Sequence, residues 1–121
     1  AKVYVVYVVD TAAFASMPMD ATWESMYELL RKEGDAATRS IETEAIAQNL
    51  EIERVILEGN PAHEIVKFAD TNKIDLIVMG TLGKSGLERF LLGSVAEKVI
   101  RIATCPVMVV RSEVLSKSKE K

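Results

Sequence analysis

Asp75-Leu76-Ile77-Val78-Met79 runs straight into Gly80-Thr81-Leu82-Gly83, and nine residues later comes Gly93-Ser94-Val95. The first five residues read as a short strand buried on both faces. From Val95 to Thr104 the spacing of Ala96, Val99, Ile100 and Ala103 predicts a helix with one apolar face, closed by Pro106. A strand that passes through glycines into a helix N-terminus is a recurring way to hold phosphate. Glycine lets backbone amides approach an anion without a Cβ in the way, and the first amides of a helix are unpaired and favoured by its dipole. A phosphate-bearing ligand is therefore the leading expectation.

Working outward, Val3–Val9 is dense in Val and Tyr, as a buried strand should be. Thr11–Ala21 reads as a loop. Thr22 to about Leu50 predicts a long helix with Met26, Leu30, Ala37, Ile41 and Ala45 on one face, interrupted by Gly34. Glu53–Glu58 is a further strand, closed by Gly59. Asn60 is placed to cap a helix that has Pro61 at its first position and Ala62, Ile65, Val66 and Ala69 on one face. Val107–Val110 is a last apolar strand, and Ser112–Lys121 a polar, lysine-rich tail. The order β-α-β-α-β-α-β, with strands apolar on both faces, predicts a doubly wound, Rossmann-like, mainly parallel sheet with helices on both sides. Ligands of such folds sit beyond the carboxyl ends of the strands, where the glycine loop falls.

The totals narrow the function. The 121 residues fit one domain, 49% apolar and 27% charged, with no apolar run near the roughly 20 residues of a membrane span. The opening residues do not have the layout of a signal peptide. One cysteine excludes an internal disulfide and is compatible with a cytoplasmic location. Net charge is −3, which gives nucleic-acid binding no global support. Residues 20–53 carry nine acids against three bases, the mark of a solvated helix face.

Each candidate residue has a plainer reading beside the functional one. Ser94 and Glu97 form Ser-x-x-Glu, a capping box that needs no ligand; the serine can also cap while backbone amides meet an anion. Gly80, Gly83 and Gly86 exceed what one turn needs, although turn glycines often serve only a positive φ. Lys84 and Arg89 are more simply solvated than phosphate-bound. Gly83-Lys84-Ser85 is no P-loop, because position 78 is valine where that pattern needs glycine. Asp10 reads as a loop cap before a ribose or metal ligand. His63 reads as a surface or capping residue and Cys105 as core packing, since one histidine and one cysteine make no zinc site. Met17, Met19 and Met26 read as packing and loop residues. No catalytic residue and no metal ligand is assigned.

From Met79-Gly80 to Arg111 the chain resembles the universal stress protein family. The carrying residues are Gly80-x2-Gly83-x9-Gly93-Ser94, then Val95-Ala96-Glu97-Lys98-Val99-Ile100 and Cys105-Pro106-Val107-Met108-Val109-Val110. Gly59-Asn60-Pro61 followed by Ile65 resembles an earlier strand exit of that family. The resemblance implies an ATP-binding regulatory protein of the stress response; with no convincing general base or water-positioning residue in the sequence, slow or no hydrolysis is expected, at most a weak or partner-dependent ATPase. It implies Gly80 against the ribose, Gly83, Gly93, Ser94 and Val95 around the phosphates, and Met79 and Val8 beside the adenine. Mg²⁺ would accompany the ATP and offset the charge of Glu97. A homodimer through Val107–Val110 is also implied, and unidentified protein partners are open. The alternative is a dimeric interaction module that keeps the loop for folding alone. In that family a strand and helix precede the segment matched here. Residues 1–111 are thus expected to form an N-terminally incomplete nucleotide-binding domain, with 112–121 as tail. A truncated chain, a segment supplied by another molecule and a rewired sheet all remain open.

Overall fold

The computed structural model describes residues 2–80 and 93–110. Gly83, Gly86, Lys84, Arg89 and the tail 112–121 lie outside the described residues. The order is strand β1 (Lys2–Val9), a 3-10 turn (Thr11–Phe14), helix α1 (Ala21–Ala47), β2 (Glu51–Glu58), α2 (Pro61–Thr71), β3 (Ile77–Gly80), α3 (Ser94–Ile102) and β4 (Val107–Val110). The α/β reading with parallel strands holds. Among the described residues the strands hydrogen-bond as two parallel pairs, β1–β2 and β3–β4, rather than as one continuous ladder. The chain divides into two compact units, Ala1–Glu64 and Ile65–Lys121.

In the first unit α1 packs on both strands of the β1–β2 pair. Tyr7 and Ile56 are register partners, as are Val5 and Arg54, so these alternate positions share the face that meets α1. The helix comes closest at Gly34. A Cβ built there would lie 2.8 Å from Cγ and 2.9 Å from Cε1 of Tyr7, closer than packed carbons come. The glycine that lowers helix propensity is thus the one that lets helix and strand touch.

The buried positions of α1 are Gly34, Thr38 and Ala45; Ala45 lies on the expected apolar stripe and Leu30 is half-buried, but Gly34 and Thr38 do not belong to that stripe. Met26, Ala37 and Ile41 face outward instead. Polar chemistry decides this registry. Thr38, 2% exposed, returns its hydroxyl to the Gly34 carbonyl at 2.8 Å. Arg54 of β2 reaches Asp35 Oδ1 at 2.8 Å, the Thr38 hydroxyl at 3.3 Å and Glu42 Oε1 at 3.3 Å. Arg54, with its neighbour Arg39, holds the Asp35 carboxyl below its ordinary range. Nearer the start of the helix, Tyr27 donates its hydroxyl to Glu58, which raises the phenol's pKa. Phe14, Trp23 and Tyr27 form an aromatic row, the last two stacked at 5.6 Å between centroids.

In the second unit β3 and β4 run in register from Ile77 beside Val107 to Gly80 beside Val110. Ala96 and Val99 are the buried positions of α3, whereas Ile100, expected on the same face, is exposed. Thr104 donates to Asp70 Oδ1 at 2.6 Å and ties the end of α2 to the connection after α3.

Candidate functional site

Helix α3 begins one residue earlier than its apolar spacing predicts, and this changes the reading of its N-terminus. Gly93 is the N-cap residue, with φ −64° and ψ 153°, and Ser94 is the first helical residue. The expected Ser94–Glu97 capping box is therefore not formed: a capping serine must sit at the N-cap, outside the helix, to reach back to its amides. The cap position holds a glycine, which has no side chain to give. Among the described residues, no side chain accepts from the opening amides of α3, and the first intrahelical bond joins Glu97 N–H to the Gly93 carbonyl at 2.9 Å.

The backbone angles of Gly93 are ordinary for any residue, so left-handed freedom does not explain this glycine. Among the described glycines only Gly59 has a positive φ, at 130°, where β2 turns into α2 and the Gly59 amide bonds the Val9 carbonyl at 3.0 Å.

Topology places the open helix end. β3 and β4 are parallel, α3 lies between them in sequence and packs on β4, and only residues 103–106 join the end of α3 to the start of β4. The helix therefore runs back from the carboxyl edge of the strands to their amino edge. Its nine residues span about 13 Å at 1.5 Å each. Four strand residues cover a similar distance at about 3.3 Å each. The N-terminus of α3 thus lies at the level of Met79 and Gly80, the carboxyl end of β3.

Within this unit the structure brings Met79, Gly80, Gly93, Ser94 and Val95 to one edge. Met79 is half-buried, on the same side of the strand as buried Ile77, while Ser94 is exposed. Val8 belongs to the other unit, half-buried on the face of β1 turned away from α1 and paired with Leu57.

The plainer readings hold at Asp10, Asn60 and His63. Asp10 accepts from the Ala13 amide at 3.0 Å and caps the 3-10 turn. Asn60 caps α2 through the His63 amide at 3.2 Å, and the His63 side chain is at the surface. Cys105 is a half-buried free thiol. Among the described residues no three His, Cys, Asp or Glu side chains converge as a metal cage. No described helix is long and apolar enough to cross a membrane. Sequence reasoning missed the Tyr27–Glu58 and Arg54–Asp35 links, which join residues far apart in the chain and carry no local signature.

Fold and site together define an α/β protein with parallel strands and a helix N-terminus that no described side chain caps, at the carboxyl edge of a strand pair. The chain belongs to the universal stress protein family, whose profile matches residues 1–111. A universal stress protein of Methanocaldococcus jannaschii, MJ0531, is 52% identical over 111 residues, which are 92% of this chain and 65% of that protein. The chain thus spans just under two thirds of that relative. Among solved structures, the hypothetical protein MJ0577 of the same organism superposes with a TM-score of 0.77 at 32% identity, over 90% of this chain and 74% of that one. A universal stress protein in complex with cAMP superposes with a TM-score of 0.60 at 26% identity, over 92% of this chain and 74% of that one.

Proposed function

We propose that the chain is an ATP-binding regulatory protein of the stress response, holding the nucleotide on Gly80-x2-Gly83-x9-Gly93-Ser94. The observation that carries this reading is the glycine N-cap of α3. It has unstrained backbone angles and leaves opening amides without a side-chain acceptor among the described residues, at the carboxyl edge of β3. Such amides fit phosphate oxygens in geometry and charge. A nucleotide complex of a structural neighbour supports the same ligand class. In this reading Gly80 lies against the ribose, Gly83, Gly93, Ser94 and Val95 surround the phosphates, and Met79 flanks the base. Mg²⁺ would be held largely by the phosphates and neutralise them beside Glu97. Hydrolysis is slow or absent, because no described residue is placed as a general base. The protein acts in the cytoplasm as a homodimer through Val107–Val110, a reading favoured by the exposed Met108 and Val110 on that strand.

The decisive experiment is calorimetric titration of Mg-ATP into the wild type and into Gly93→Asp. Aspartate at the N-cap would occupy the opening amides and add a negative charge where the phosphates must sit. ATP affinity should fall at least tenfold, about 1.4 kcal/mol, while thermal stability rises slightly. Gly83→Val should lose affinity as well. Unchanged ATP binding in both variants, or none in the wild type, would overturn the proposal; in the second case the interaction module becomes the better reading.

A further inference from the structure

We draw no further inference here: the strongest candidate, the exposed apolar face of the β3–β4 pair formed by Leu76, Val78, Met108 and Val110, belongs to the dimer reading already given, and nothing in the structure shows what else covers it.

Discussion

Two helix N-termini in this molecule are built in opposite ways. Helix α1 starts at Asp20, whose carboxylate accepts from the Thr22 amide at 3.0 Å and the Trp23 amide at 3.2 Å. Helix α3 starts at Gly93, which has no side chain to offer. Both helices connect a pair of parallel strands; the first has two of its amides held by its own cap residue, whereas among the described residues no side chain caps the second. The contrast extends through the two units. Around α1 polar side chains cross-link helix to strands: Arg54 to Asp35, Thr38 and Glu42, and Tyr27 to Glu58. Around α3 the packing is apolar, on Ala96 and Val99. A helix end whose hydrogen bonds are closed within the chain is structural. One without a side-chain acceptor among the described residues has, under the proposed function, donors for a ligand.

The largest effect should come from breaking the closest approach in the first unit. Gly34→Val forces side-chain carbons into the ring of Tyr7 and pushes α1 off its strands. Overpacking of this kind costs about 1–3 kcal/mol, and the helix-propensity gain on leaving glycine returns less than about 1 kcal/mol. We expect a loss of about 2 kcal/mol in urea unfolding, with the slope unchanged. A neutral result would mean that α1 and Tyr7 are not tightly packed, and the contrast between the units would weaken.

A smaller effect tests the two helix ends directly. Asp20→Ala removes the N-terminal side-chain cap of α1 and should destabilise the protein by about 1 kcal/mol without touching nucleotide affinity. This is the mirror image of Gly93→Asp, which should gain slightly in stability and lose affinity. If Asp20→Ala instead weakened ATP binding, the division between a structural and a ligand-facing helix end would fail.

Much of this arrangement was legible in the residues, and the misses share one cause. Dense Val and Tyr in β1 and Asn60-Pro61 at the head of α2 each carry local information, and both elements appear where they were expected. The buried face of α1 was placed correctly at Ala45 but not in the middle of the helix, where its registry depends on Arg54, nineteen residues beyond Asp35, and on the room that Gly34 leaves for Tyr7. Apolar spacing favoured Met26, Ala37 and Ile41, whereas the packed helix turns Gly34 and Thr38 inward. Similarly, Ser-x-x-Glu reads as a capping box wherever it occurs. Whether the serine sits at the cap or one residue inside depends on where the helix starts, and here it starts one residue early. The glycine pattern itself is legible in the residues; that Gly93 rather than Ser94 occupies the cap was not.

The smallest expected effect concerns pH, and it isolates the polar lock on α1. Arg54, with help from Arg39, holds the carboxyl of Asp35 below its usual pKa in the folded state. A depressed folded pKa means that the native state keeps its carboxylate charged at acidities where the unfolded chain, near about 3.9, already binds a proton. The stabilisation is therefore complete above about pH 5 and is lost as pH falls through the unfolded and then the folded value. Other carboxylates titrate over the same range, so the informative quantity is the stability difference between wild type and Asp35→Asn. That difference should be flat from about pH 5 to 8 and shrink below about pH 4, and it should be modest because the pair is partly exposed to water. A difference that stays constant down to pH 2 would mean that the Asp35–Arg54 contact adds packing but no charge interaction. The helix would then be locked by Gly34 and Tyr7 alone, and the polar character assigned to this unit would rest on Thr38 and Tyr27.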